Sequence, residues 1–155
     1  MNRRKRTVAF AYRGNLNPPG RSIDYEIFKK VFENQDITFV SLQRELSVDE
    51  YHKLTSWPNV IDATPNLVSF DDTAALLSSV DMVLTIDTGV AHLAGALGRP
   101  TWLMVKYGPD WRWLQKRTDS PWYSSMRLFR QPATEIWPET IDEVAAELNA
   151  WASQD

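Results

Sequence analysis

The apolar positions of this chain fall in short continuous runs, separated by segments with helical spacing. Thr7-Val8-Ala9-Phe10-Ala11-Tyr12 is apolar almost throughout and predicts a strand covered on both faces. Gly14 to Gly20 reads as a loop from its turn residues, and Ser22 as the cap of a helix from Ile23 to about Asn34, with Ile23, Ile27, Phe28 and Val31 on one face. Ile37 to Leu42 predicts a second strand. Ser47-Val48-Asp49-Glu50 has the form of a capping box opening a short helix that ends by Pro58. A short strand over 59–63 follows, then a helix capped by Asp71 or Asp72 that carries Ala74, Leu76, Leu77 and Val80. Met82 to Ile86 predicts a fourth strand running straight into a helix from about Val90 to Leu97, which Gly98-Arg99-Pro100 stops. Thr101 to Val105 and Met126 to Arg130 predict two more strands around a long loop. Pro138 and Thr140 open a last helix with Ile141, Val144, Leu148 and Trp151 inward. Strands joined by helical segments imply βαβ crossovers. The expected fold class is therefore α/β, a three-layer Rossmann-like domain with a mostly parallel sheet.

Composition narrows this picture. The 155 residues suit one domain, with 43% hydrophobic and 24% charged residues, a globular balance. The opening Met1-Asn2-Arg3-Arg4-Lys5-Arg6 reads as a basic tail followed by a strand, without the apolar core of a signal peptide. No apolar stretch is long enough for a transmembrane segment. The chain has no cysteine, which excludes disulfides, thiolate metal sites and a catalytic thiol, and suits a reducing compartment. A net charge of −3 speaks against nucleic-acid binding. Seven Trp and nine Pro are unusual for this length, and the tryptophans concentrate from Trp102 onward.

In parallel sheets ligands bind beyond the carboxyl ends of the strands, which directs attention to the loops after Tyr12, Leu42, Ile86 and Val105. Ile86-Asp87-Thr88-Gly89-Val90-Ala91-His92 carries the best local signal. A buried strand meets a helix whose first turn is small and polar, so its free N–H groups and dipole form an anion site. Gly89 admits a ligand close to the backbone, Thr88 adds a hydroxyl, and His92 lies one turn in. A second reading fits the same residues: Asp87 or Thr88 caps the helix and His92 packs inside. The first loop offers Arg13-Gly14-Asn15 and Arg21-Ser22, but no complete dinucleotide or Walker fingerprint. Gln43 either hydrogen-bonds a ligand or simply ends its strand. The run Asp110-Trp111-Arg112-Trp113 and Ser120-Pro121-Trp122-Tyr123 forms either a lid, a stacking surface or a satellite core. His52 and His92, the only histidines, lack metal-site spacing, and no G-x-S-x-G elbow occurs.

The string from Asp81 through Asp87-Thr88-Gly89-Val90-Ala91-His92 to Gly98-Arg99-Pro100 resembles the core motif of glycosyltransferase family nine, the heptosyltransferase group. It looks closer still to the glycosyltransferase-like C-terminal region of bacterial tetratricopeptide-repeat proteins. The likeness extends through Trp102, the aromatic run and Arg127-Leu128-Phe129-Arg130-Gln131, and upstream to Gly14-Asn15, Arg21-Ser22 and Ser41-Leu42-Gln43. Tyr12 stands where the repeat-protein group usually has Trp, and the loop between Asn15 and Arg21 is Pro-rich here.

The resemblance implies one half of a GT-B architecture, the domain that binds a nucleoside-diphosphate sugar donor. It implies that Asp87, Thr88, Gly89 and His92 surround the donor diphosphate. Gly14, Asn15 and Gln43 join them across the mouth, and Arg21, Lys106 and Arg130 stand in support. Sugar transfer of the inverting, metal-independent kind is implied, with amides and arginine in place of a cation and no further cofactor. In these families a second domain holds the acceptor, so the expectation is a homo-oligomer or a separate acceptor-domain polypeptide, or that the chain is the excised half of a longer protein, in a cytoplasmic setting. A non-catalytic nucleotide- or phosphate-binding module, or a protein-interaction module, is the alternative.

Overall fold

The computed structural model describes residues 4–154 and contains one six-stranded sheet. Its strands are β1 (Arg6–Ala11), β2 (Ile37–Ser41), β3 (Val60–Asp62), β4 (Met82–Ile86), β5 (Thr101–Val105) and β6 (Met126–Arg130). All pairings are parallel, in the order β3-β2-β1-β4-β5-β6. The helices are α1 (Tyr25–Phe28), α2 (Val48–Thr55), α3 (Phe70–Ser79), α4 (Gly89–Ala96) and α5 (Pro138–Ser153). Three layers result, as the block pattern predicts, because successive strand residues serve opposite faces. On one side Val8 and Phe10 of β1 pack with Phe28, Phe32, Phe39 and the inward face of α5. On the other, Ala9 and Ala11 meet Leu77 of α3 and Ala94 of α4.

Local capping differs from expectation in two places. Ser22 does not cap the first helix: its hydroxyl accepts from the Gly14 N–H at 3.1 Å. Asp24 caps α1 instead, and α1 is four residues long before the chain tightens into a 3₁₀ helix over Lys29–Glu33. Likewise neither Asp71 nor Asp72 caps α3. Ser69 does, with the Asp72 carboxylate accepting from the Ser69 N–H to complete a capping box. At Ser47 the hydroxyl accepts from Glu50 N–H as expected. The Glu50 carboxylate, however, accepts from the Tyr12 hydroxyl at 2.8 Å and pairs with Arg13 at 2.9 Å. Burial, reinforced by the Glu50 hydrogen bond, pushes the Tyr12 phenol far above its ordinary value. Of the basic opening, residues 1–3 lie outside the described residues, and Arg6 already belongs to β1.

Strand order reverses between β1 and β4. Their carboxyl ends part there, and the loops that leave them, 12–24 and 87–88, run in opposite directions. Chain topology thus opens a crevice at this point before any side chain is considered.

Candidate functional site

Thr88 is the N-cap residue of α4, with extended φ −141° and ψ 176°, yet its side chain makes no capping hydrogen bond. Its Oγ1 is buried and has no partner among the described residues. A helix start leaves its first amides without intrahelical acceptors, and here the hydroxyl adds another uncommitted group beside them. Gly89 keeps the approach open: a Cβ there would meet nothing nearer than the Phe70 ring at 4.0 Å. Across the crevice Gly14 comes close, since a Cβ at Gly14 would lie 3.1 Å from Thr88 Cγ2 and 3.3 Å from the Arg21 guanidinium. The first loop and the α4 turn are therefore in contact, and the sequence-selected residues Gly14, Asn15, Arg21, Thr88 and Gly89 share one mouth.

Two cavities meet at Thr88 and Gly89. The larger, about 1280 Å³, runs from Gly14 and Asn15 past Leu42 and Arg44 to Val68 and Phe70. The smaller, about 240 Å³, is bounded by Asp87, His92, Lys106 and Arg112. Arg21 lines both. Its guanidinium donates to the Asp87 carbonyl at 2.9 Å and to the Asn15 carbonyl at 3.2 Å, tying the two loops together. Lys106 donates to the Pro19 carbonyl at 3.1 Å. Both cations are thus held at the rim on neutral backbone oxygens, which leaves their charge uncompensated by a carboxylate among the described contacts. His92 is stacked on Trp113 with centroids 5.4 Å apart, its Nδ1 is 3.1 Å from the Tyr123 hydroxyl, and its Nε2 is 3.7 Å from Asp87 Oδ1.

Two of the sequence-selected residues serve the scaffold. Gln43 is 7% exposed; its Oε1 accepts from the Tyr12 and Arg13 N–H groups, and its Nε2 donates to the Arg13 and Arg44 carbonyls. Its amide thereby pins the first loop to the end of β2 and has no direction left for a ligand. The Arg130 guanidinium donates to the carbonyls of Trp113, Leu114 and Arg117, so it holds the long loop after β5 and does not reach the mouth. The tryptophans divide. Trp113 is wholly buried, whereas Trp111 and Trp122 are 69% and 59% exposed and meet edge to face. Sequence reasoning missed Leu67, Val68, Ser69 and Phe70, which form one wall of the larger cavity. They follow β3, whose carboxyl end obeys the same strand-end rule as the other four and was the signal available.

The family model of Glycosyltransferase family 9 (heptosyltransferase) matches residues 32–109, half of the chain, including Asp87, Thr88, Gly89 and His92. The chain belongs to glycosyltransferase family 9. Over 142 residues this family 9 chain is 28% identical to Protein FlbA of Caulobacter vibrioides, a match that covers 83% of the chain and 22% of FlbA. Its fold is that of the E. coli heptosyltransferase WaaC solved with ADP-2-deoxy-2-fluoro heptose, at TM-score 0.67 and 18% identity over 94% of this chain. E. coli ADP-heptose lps heptosyltransferase II has TM-score 0.64 at 16% identity, over 96% of this chain. The chain spans 43% and 47% of those two enzymes, so it corresponds to less than half of each. Among the described residues no helix is long and apolar enough to cross a membrane.

Proposed function

We propose that this family 9 chain is the donor-binding half of a GT-B glycosyltransferase and holds a nucleoside-diphosphate sugar at the β4–α4 junction. The observation that carries this reading is the start of α4: a free helix N-terminus, a glycine open to solvent and a buried, unpartnered Thr88 hydroxyl, all at the point where strand order reverses. The diphosphate lies against the Thr88 and Gly89 amides with His92 beside it, and Gly14, Asn15 and Arg21 close the near wall. Positive groups and amides there stabilise charge on the leaving diphosphate without a bound cation. The sugar acceptor and the base belong to a second domain outside these residues, whether on the same chain, a second copy or a separate polypeptide, and the setting is cytoplasmic.

Titration calorimetry with ADP tests the site. Gly89→Val places two methyl groups where the ligand must approach, yet the nearest atoms to the new Cβ are 4.0 Å away, so the fold tolerates it. We expect the variant to fold and to lose at least about tenfold in affinity, about 1.4 kcal/mol. Equal affinity in the folded variant means the diphosphate binds elsewhere. The second reading, a non-catalytic module that acts by association, draws on the exposed Trp111 and Trp122 pair; it predicts a partner that binds whether or not ADP is present.

A further inference from the structure

Gly95, the last residue but one of α4, is buried. The structure explains its presence. A Cβ at Gly95 would lie 2.5 Å from Tyr123 Cγ, 2.6 Å from Cδ1 and 2.8 Å from Cδ2, so the tyrosine ring rests directly on the helix backbone. From that seat the Tyr123 hydroxyl reaches His92 Nδ1 at 3.1 Å. The imidazole is also stacked on Trp113 at an interplanar angle of 26°, which fixes its plane. Its other nitrogen, Nε2, lies 3.7 Å from Asp87 Oδ1, beyond hydrogen-bond distance, and both residues line the smaller cavity.

A neutral imidazole carries its proton on one nitrogen and accepts on the other. If Nδ1 carried the proton, the Nε2 lone pair would face the Asp87 carboxylate, which only accepts. If the Tyr123 hydroxyl donates to Nδ1, the proton sits on Nε2 and faces that carboxylate. The remaining charged groups on the cavity wall do not alter this choice: Arg21 is held by the Asp87 carbonyl, Lys106 by the Pro19 carbonyl, and Arg112 pairs with Asp110 at 3.2 Å. We propose that Tyr123 is a positioning residue. Seated on Gly95, it donates to His92 Nδ1 and holds the neutral ring as the Nε2–H tautomer, so that this N–H is offered to a phosphate oxygen in the smaller cavity. The last clause rests on the donor-binding reading; the tautomer assignment does not.

The test uses the full chain labelled with nitrogen-15, in which His52 on α2 is the only other histidine and serves as the control. At about pH 8.5, well above the ordinary imidazole value of about 6.5, long-range proton–nitrogen spectra report the tautomer of each ring. Wild type is expected to show His92 with Nε2 protonated and Nδ1 bare. Tyr123→Phe keeps the ring on Gly95 but removes the hydroxyl; His92 should then average between tautomers while His52 is unchanged, and ADP affinity should fall about twofold to tenfold. Gly95→Ala, which evicts the ring, should act in the same direction. A wild-type His92 protonated on Nδ1, or a tautomer unaltered in folded Tyr123→Phe, overturns the proposal. Loss of the tautomer with unchanged ADP affinity overturns the role of that N–H toward phosphate. If wild type binds no ADP while the tautomer results hold, the Tyr123 assignment is supported and the donor reading alone falls.

Discussion

Thr88 and Gln43 represent opposite uses of a buried polar side chain. Every direction of the Gln43 amide is taken by main chain, while the Thr88 hydroxyl is desolvated and has nothing to bond among the described residues. Removing an unpartnered buried group costs the fold little, since no bond is broken and no partner is orphaned. Thr88→Ala is therefore expected to leave the urea midpoint close to wild type while ADP affinity falls by about 0.5–1.5 kcal/mol, up to roughly tenfold. Thr88→Ser should restore it. A variant that loses stability and affinity together would mark the hydroxyl as part of the fold. This division also shows how far residues can be read one at a time. The Asp87-Thr88-Gly89 turn is visible in sequence because a strand, a small polar turn and a helix follow one another within seven positions. Gln43 and Arg130 stay ambiguous in sequence, because the groups that occupy them come from loops distant in sequence, such as Tyr12 and Trp113.

Among the elements, β4, β5 and β6 were legible to the residue, since each is an apolar run bounded by polar or turn residues. The first helix was not. Its hydrophobic spacing is helical, but Ser22 is drawn across the loop to Gly14, which moves the cap to Asp24 and shortens the helix. Competition between a local cap and a long-range partner for one hydroxyl cannot be decided from spacing. Another such long-range link joins β1 to β4 at their amino ends. The Thr7 N–H donates to Asp81 Oδ2 at 2.7 Å and the Thr7 hydroxyl at 2.9 Å. Burial pushes the Asp81 carboxyl up, but these bonds, with Arg4 and Arg6, outweigh it and hold the group below its ordinary value. A carboxyl depressed in the folded state contributes stability that is present above the unfolded value of about 3.9 and is lost as pH falls through the folded one. Urea unfolding of wild type should thus weaken below about pH 4. Asp81→Asn should be less stable at neutral pH and show a flatter profile across that acid range. Parallel profiles would assign the acid loss to other carboxylates.

At the scale of the whole molecule, the chain is, under the donor-binding proposal, one wall of a crevice. It spans less than half of the heptosyltransferases whose fold it shares. Bringing donor, acceptor and base together accounts for a large part of the rate in two-substrate transfer, and here only the proposed donor wall is present. The isolated chain, assayed with a nucleotide sugar and water or simple sugars as acceptors, is expected to bind without transferring. Robust turnover by the purified chain would place the base within these residues. The same matches show the fold as a minor part of longer relatives, 22% of FlbA in one case. One feature of the sheet makes such embedding simple. Arg6, at the amino end of β1, stacks over Trp151 at 4.5 Å and donates to the Gln154 carbonyl, so α5 returns to the edge from which β1 departs. Arg6 and Gln154, near the two ends of the described chain, therefore sit together at the amino ends of the strands, away from the crevice at their carboxyl ends. The unit behaves like a plug with both leads on its back: it can be wired into chains of very different length without a wire crossing the socket.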